Sequence, residues 1–238
     1  MSIFREEMVR PRSRVINITQ DSFARITAEL SIPTQEILRV LPGIQEHELA
    51  WDLAVYLLNS ESVNAQFYGA HTLHIQICKN WVQFKEDVER RQQIRDFILS
   101  RLFVSLSSQD NRSLVTIKLF AALIVLAFQE YQNGWTTFIE DILSAIDSAF
   151  PTQIERTELA KLQFLTLLSE EFETPRLGSI NRANLAQYVG VEGRNVALRF
   201  IDRYTSIYDG QTSPDSDILR EKGLNCLRNW VQFGIPSL

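Results

Sequence analysis

Apolar and polar residues alternate along most of the chain with the 3.6-residue period of amphipathic helices. The clearest case is a helix predicted over residues 62–84, with Ser60 or Ser62 as its N-cap. Its apolar face is formed by Val63, Phe67, Ala70, His74, Ile77, Cys78 and Trp81. The opposite face carries Ala65, Tyr68, Thr72, Gln76 and Lys79. Residues 43–59 predict a preceding helix, and two such helices joined by a few polar residues form an antiparallel hairpin.

Further helices are predicted in pairs along the rest of the chain. Two short ones between residues 21 and 42, separated at 31–33, are interpreted as a cap on the first hairpin. The later predicted helices are 86–106, 113–128, 135–150, 155–169, 184–188, 195–208 and 217–233. Segment 113–128 is apolar nearly all round, which indicates a helix that is flanked by neighbours on most sides.

Repetition along the chain predicts how these hairpins are arranged. The pentapeptide Asn-Trp-Val-Gln-Phe occurs at residues 80–84 and again at 229–233, each time after an apolar helical run that contains a cysteine. Hairpins begin at intervals of roughly 40–50 residues, which is the period of HEAT-type repeats. The predicted fold class is therefore all-α. We expect an α-solenoid of antiparallel helical hairpins, HEAT-like or ARM in type, with about five repeats, forming the N-terminal part of a longer array.

Composition agrees with this fold and narrows the class of function. The 238 residues are 45% hydrophobic, and their 9 glycines and 7 prolines are too few for a many-turned β protein. A net charge of −5 argues against general nucleic-acid binding and favours a basic partner. Two cysteines without metal-like spacing indicate a reducing compartment. The longest apolar run, 119–128, is too short to span a membrane, and no signal peptide is expected.

The first twenty residues are mixed in character and only weakly patterned. Arg10, Arg12 and Arg14 flank Pro11 in this segment. We expect residues 1–20 to form a flexible, solvated N-terminal arm, and a nuclear-localisation signal is the alternative interpretation of the arginines. The solenoid is then expected to occupy residues 21–238.

The sequence contains no group of residues typical of a catalytic centre. His71 and His74 are three positions apart on one predicted helix and could bind a metal, but no third ligand lies nearby in sequence. A packed or hydrogen-bonded histidine is therefore the preferred interpretation. Cys78 and Cys226 lie in apolar surroundings, which are typical of core thiols rather than nucleophiles. We expect neither an enzyme nor a bound cofactor or metal.

Five segments of the chain together resemble one known family. They are QEHELAWDLA (45–54), VNAQFYGAHTLHIQI (63–77), NRSLVTIKLFAAL (111–123), FLTLLSEEFETPRL (164–177) and WVQFGIP (230–236). In register, they resemble the N-terminal region of the importin-β (karyopherin) superfamily, most strongly its importin-13 and transportin-3 branch and fungal relatives. The resemblance assigns residues 45–107 to an importin N-terminal-like region and 111–238 to further repeats. Members of this family carry many more repeats than this chain.

This resemblance implies a nuclear transport receptor that shuttles between cytoplasm and nucleus. It would bind the small GTPase Ran in its GTP form and Phe-Gly nucleoporins, and protein cargo through further repeats, with no direct binding to nucleic acid or membrane. In this family the second helices of the early hairpins dock Ran, and here these are residues 62–81, 112–129 and 154–169. The residues expected to bind Ran are Tyr68, Thr72, Gln76, Lys79, Lys118, Glu170 and Glu171.

Two other interpretations of the same residues stay open at this point. Each expected contact residue is equally compatible with an ordinary surface position or an inter-repeat packing position. The whole chain is also compatible with a HEAT-type scaffold or adaptor that does not bind Ran. An α-helical enzyme, by contrast, has no supporting group of residues.

Overall fold

The computed structural model describes residues 18–108, 113–173, 182–196, 198, 199, 202 and 214–233, and no β-strand occurs within these ranges. The helices are α1 Phe23–Ser31, α2 Gln35–Gln45, α3 Ala50–Leu58, α4 Val63–Asn80, α5 Val88–Ser107, α6 Ser113–Tyr131, α7 Phe138–Ala149, α8 Ile154–Glu173, α9 Arg182–Tyr188 and α10 Pro214–Phe233. Short 3₁₀ turns occupy Gln20–Ser22 and Trp81–Phe84, and a π turn occupies Val189–Gly193.

The longer helices pack as two rows. Helices α4, α6, α8 and α10 lie side by side in that order, because each packs on the next, and we call them the second-helix row. Helices α3, α5 and α7 pack on α4, α6 and α8 respectively and form the first-helix row. One continuous apolar core joins them from Trp51 to Trp230. The predicted all-α solenoid of antiparallel hairpins is confirmed.

Helices α1 and α2 form the cap predicted for the first hairpin. Thr34 begins α2, because its hydroxyl accepts a hydrogen bond from the amide of Ile37 at 3.4 Å. The cap has its own apolar cluster, which consists of Ile18, Phe23, Ile26, Leu30, Ile37, Leu41, Ile44, Leu53, Leu57 and Ala65. Ile18 belongs to the segment predicted as a flexible arm, and residues 1–17 of that segment lie outside the described residues.

The single helix predicted over residues 43–59 is wrong. Helix α2 continues through Pro42 to Gln45, the chain turns over residues 46–49, and α3 begins at Ala50. In the turn, the amide of Leu49 donates to Nδ1 of His47 at 3.2 Å, which satisfies a backbone donor just before α3. Apolar residues occur at short intervals on both sides of this turn. The apolar period therefore gave no indication that one helix ends and another begins here.

Helix α4 is enclosed more fully than its two-faced pattern predicted. Ser62 is its N-cap, as one of the two predicted candidates, and its hydroxyl accepts a hydrogen bond from a first-turn amide at 3.3 Å. Gly69 lies where α4 crosses α3, and a Cβ at this position would be 2.9 Å from the Cβ of Leu57. Three residues predicted for the polar face are buried: Ala65, Thr72 and Gln76.

Helix α6 contains the longest run of buried residues in the described part of the chain. Every residue from 119 to 128 is at most 2% exposed. By length and apolar composition α6 could cross a membrane, but most of it is buried inside the array, as in the core helix of a soluble protein. The chain leaves α6 through Gly134, which has φ of 106°, a backbone conformation that glycine adopts without strain.

The later helices follow the predicted segments with shifts of a few residues at their ends. The prediction for 195–208 falls largely outside the described residues. The repeated pentapeptide lies at the ends of α4 and α10, where Trp81 and Trp230 are both buried. The two copies differ in backbone, because the first forms a 3₁₀ turn and the second remains α-helical.

Candidate binding surface on the second helices

Lys79 is an exposed charge near the end of α4. Its Nζ lies 2.6 Å from Oε1 of Glu46, in the turn between α2 and α3. The hydrogen bond and the charge of Lys79 lower the pKa of Glu46. Both side chains are more than half exposed, at 55% and 61%. The pair is therefore solvated and contributes little to stability, which leaves both charges available to a partner.

Thr72 and Gln76 lie on the same face of α4 but are covered by α2. The side-chain amide of Gln45 donates to Oγ1 of Thr72 at 3.2 Å, and Nε2 of Gln76 donates to the backbone carbonyl of Gln45 at 2.5 Å. Both residues hydrogen-bond to the end of α2, and both are at most 1% exposed. They occupy inter-helix packing positions, and their polar groups join α2 to α4 through hydrogen bonds.

Tyr68 and Lys118 are partly exposed. The ring of Tyr68 packs against the apolar cluster of the cap and meets Phe67 edge to face, with a centroid separation of 5.3 Å. Lys118 lies in the second turn of α6, next to the stretch that is completely buried. Leu114, one turn earlier, is 64% exposed. The beginning of α6 is therefore the part of this helix that a partner can reach.

Glu170 and Glu171 lie near the end of α8 and connect it to two other helices. Glu170 is exposed and accepts a hydrogen bond from Nδ2 of Asn229, in α10, at 3.0 Å. Glu171 is 20% exposed, and its Oε2 lies 3.6 Å from Nε2 of His74, in α4. The second glutamate thus reaches across α6 to the helix that carries Lys79.

His74 is buried, with 2% of its side chain exposed. Burial alone lowers the pKa of this imidazole, but its contacts with Cys78 (Sγ at 3.8 Å) and Glu171 outweigh burial and raise the pKa to about 9. His74 is therefore protonated at neutral pH and faces the Glu171 carboxylate as an ion pair. The apolar pattern of α4 predicted a core position for His74, but gave no sign of its partner.

Glu130 is a further polar centre that the sequence did not single out. Its Oε1 accepts hydrogen bonds from Nε1 of Trp81 at 3.0 Å and from Nδ2 of Asn133 at 2.9 Å. The guanidinium of Arg91 lies 3.4 Å from the same oxygen, and both charged side chains are largely buried. Glu130 follows an uncharged run in α6, and that isolated charge is the signal that could have identified it.

The two neighbouring histidines point to different partners. The ring of His71 stacks on Phe67, with centroids 6.3 Å apart and planes inclined by 15°, whereas His74 faces Glu171. In the part of the chain that the structure describes, no three His, Cys, Asp or Glu side chains are grouped so that they could hold a metal ion. Cys226 is buried, and burial raises the pKa of its thiol to about 11.

A groove runs along the exposed side of α5 in the first-helix row. Its volume is about 810 Å³. The lining residues are Asp96, Leu99, Ser100, Phe103, Val104, Ser107 and Ser108. Phe103 forms one apolar wall and meets Phe150, just after α7, edge to face at 6.2 Å between ring centroids. The groove therefore combines the apolar side chains of Leu99, Phe103 and Val104 with polar groups along one side of α5.

Comparison with known proteins identifies relatives for most of the chain. Residues 112–237, more than half of the chain, match the family described as Exportin 1-like protein. Importin-13 of Rattus norvegicus and of Homo sapiens are each 29% identical over 191 residues, which cover 79% of this chain. Importin-13 homolog A of Dictyostelium discoideum is 23% identical over 239 aligned positions, covering 90% of the chain.

The similar region is a small part of each relative. It covers 18% of the rat and human proteins and 20% of the Dictyostelium protein, so the chain spans about a fifth of their length. The match to the family and the helical-repeat architecture agree with each other and with the resemblance carried by the sequence segments. The chain belongs to the importin-β family of karyopherins, and it is similar to importin-13 over most of its length.

Proposed function

We propose that this chain is the N-terminal part of a nuclear transport receptor and that its second-helix row binds Ran in the GTP form. The similarity to importin-13 over 79% of the chain is the observation that carries this proposal. The side-by-side order of α4, α6 and α8 supports it, because it places the exposed parts of three successive second helices on neighbouring elements. Such a receptor would shuttle between cytoplasm and nucleus.

Those residues expected to bind Ran that are accessible in the structure would contact the GTPase directly. Lys79, Lys118 and Glu170 are exposed or partly exposed on three successive second helices. Charged groups in such positions steer encounter and select partners more than they add affinity. Tyr68, which is half-buried, would contribute an aromatic contact at the edge of the same surface.

The two buried residues of this group, Thr72 and Gln76, would affect binding indirectly. Thr72 and Gln76 bind Gln45 and so hold the end of α2, which is followed directly by Glu46. That arrangement fixes the position of the carboxylate beside Lys79. Their proposed role in binding is to position exposed charges.

An open row of hairpins suits a receptor that must bind a cargo protein and later release it. Each interface between repeats is local, so many slight adjustments change the curvature of the whole array. A GTPase that prefers one curvature and a cargo that prefers another exclude each other through their differential affinity. Because the chain spans about a fifth of its relatives, cargo binding is proposed for the longer receptor.

Phe-Gly nucleoporins are proposed to bind the outer side. The α5 groove offers Leu99 and Phe103 to an inserted phenyl ring, which would pack there by apolar burial and edge-to-face contact. Val104, which is 49% exposed at the groove, is the residue to change. Val104→Glu is expected to weaken binding of a Phe-Gly peptide and to leave Ran binding unchanged; equal peptide binding by both proteins would reject this site.

The test of the main proposal is a titration with Ran loaded either with a non-hydrolysable GTP analogue or with GDP. We expect clear preference for the GTP-like form. Lys79→Glu and Lys118→Glu are each expected to lower its affinity by roughly tenfold, because each reverses a charge that is proposed to face the partner. Lys85→Glu, the same change at an exposed position between α4 and α5, is the matched control.

Two outcomes would count against these assignments. Equal or absent binding to both nucleotide forms would reject the transport function. Normal discrimination with unchanged affinity in the Lys79 and Lys118 variants would keep the function but remove those residues from the interface.

A helical-repeat scaffold or adaptor is the second candidate, and one observation favours it. Thr72 and Gln76, two of the seven expected contact residues, are buried packing positions, as a purely structural array requires. Failure of the chain to distinguish the two forms of Ran, together with normal folding, is the result that this alternative predicts.

A further inference from the structure

Helices α4 and α8 meet although α6 lies between them in the second-helix row. In an ideal repeat array each hairpin contacts only its immediate neighbours. Here α4 packs on α6 and α6 packs on α8, yet Nε2 of His74 lies 3.6 Å from Oε2 of Glu171. The contact therefore joins the second helices of two hairpins that are not consecutive.

The burial of α6 shows what this contact covers. All residues from 119 to 128 are at most 2% exposed, and ten consecutive helical residues point to every side of a helix. One side of an inner helix in an open array normally faces solvent. Phe172, next to Glu171, packs edge to face on Phe128 of α6, with ring centroids 5.8 Å apart. The end of α8 therefore packs on α6 next to the His74–Glu171 contact.

The contact between α4 and α8 depends on both of its side chains, His74 and Glu171. His74 is 2% exposed and Glu171 is 20% exposed, so their attraction is weakly screened by water. Nδ1 of His74 is buried without a hydrogen-bond partner, and Cys78 Sγ lies 3.8 Å from Nε2. Removing the carboxylate would leave the imidazolium buried and without its counter-charge, which is far more costly than losing a surface pair.

We propose that His74 and Glu171 form a latch that holds α4 and α8 together over α6. Closed, the latch fixes the curvature of the first three hairpins and seals the apolar side of α6. Open, it lets α8 move away from α4 and exposes part of residues 119–128. This device does not depend on the proposed Ran binding.

The test is hydrogen–deuterium exchange of the α6 amides in His74→Gln and Glu171→Gln, with small-angle X-ray scattering on the same samples. Each variant is expected to speed exchange within residues 119–128 roughly tenfold, the effect of losing a charge-assisted contact, and to increase the maximum dimension of the particle. Glu155→Gln, at the exposed beginning of α8, removes the same charge away from the contact and is the matched control. It is expected to change neither measurement.

The double variant separates a shared latch from two unrelated effects. If the residues act through one contact, His74→Gln with Glu171→Gln speeds α6 exchange no more than the stronger single variant does. Multiplied effects in the double variant would overturn the proposal, as would unchanged α6 exchange in both singles. An equal rise in all helices would also overturn it, because it would indicate general destabilisation. If His74→Gln fails to fold, Glu171→Gln alone carries the test, since its side chain is partly exposed.

Discussion

A close approach of α3 and α4 gives a sharp prediction at Gly69. A Cβ added there would lie 2.9 Å from the Cβ of Leu57, 3.0 Å from the backbone oxygen of Ala54 and 3.0 Å from Cγ of Leu58. Real Cβ atoms almost never come this close to other atoms. The Ala54 oxygen belongs to the backbone of α3 and cannot rotate away, so Gly69→Ala must push α3 and α4 apart.

Two opposing terms set the size of the effect. Alanine is favoured over glycine inside a helix by about 1 kcal/mol. Forcing an extra methyl group into a packed interface costs about 1–3 kcal/mol. With three close contacts, the steric term should lie in the upper part of that range, so we expect a net loss of about 1–2 kcal/mol in the free energy of unfolding. That loss corresponds to a fall of about 2–8 °C in Tm for a chain of this size.

Gly223 provides a matched control in α10. A Cβ added there meets no atom within 4 Å, so the same substitution keeps the helix-propensity gain without the clash. Gly223→Ala is expected to stabilise the protein by about 0.5–1 kcal/mol. Urea unfolding followed by circular dichroism measures both variants on one scale. A Gly69→Ala variant at least as stable as the original chain, with Gly223→Ala stabilised as expected, would show that the contact between α3 and α4 has room for the methyl group.

Three further changes test other contacts of the fold. Trp230→Phe removes the hydrogen bond from Nε1 to the buried carbonyl of Leu165 (3.1 Å) and should cost about 1–3 kcal/mol in urea unfolding; no change would mean that the carbonyl finds another donor. Gly193→Ala places a methyl group against the indole of Trp230 and should destabilise the packing of α10, detectable as faster amide exchange there; normal exchange would contradict that contact. Folding raises the pKa of His74 from 6.5 to about 9, so its contribution is complete below pH 6.5 and is lost as the pH rises through about 9. The urea midpoint should fall over that window in the original chain, and a fall of the same size in His74→Gln would contradict the assignment.

The helices themselves could be predicted from the sequence because each buries a stripe of its own surface. Segment 113–128 is the best example, since its lack of a polar side correctly indicated a helix with neighbours all round. The repeated pentapeptide likewise indicated repeated hairpins, and its two tryptophans, Trp81 and Trp230, are both buried near helix ends. These features belong to single helices, so the apolar pattern of one segment is enough to predict them.

The turn between α2 and α3 could not be predicted in this way. It depends on His47, whose Nδ1 accepts from the amide of Leu49. A side chain that satisfies a backbone group two residues away leaves the apolar period unchanged. The pattern therefore placed one helix over residues 43–59 where the chain forms parts of two.

The candidate surface was predicted only in part for a related reason. Thr72 and Gln76 are polar and follow the expected face of α4, so the sequence indicated accessible residues. Their partner, Gln45, lies in another helix, and no one-dimensional pattern shows which distant polar groups will meet. The same holds for His74 and Glu171, which come together only because α4 and α8 close over α6.

The most direct measurement of the central claim is amide-exchange protection of this chain on addition of Ran bound to a non-hydrolysable GTP analogue. If the second-helix row binds Ran, exchange slows along its accessible parts: the end of α4 near Lys79, the beginning of α6 near Lys118 and the end of α8 near Glu170. Helices α3, α5 and α7 should be unaffected, and GDP-bound Ran should protect none of these segments. Protection confined to the first-helix row, or identical patterns with the two nucleotide forms, would contradict GTP-dependent binding of Ran to the second-helix row.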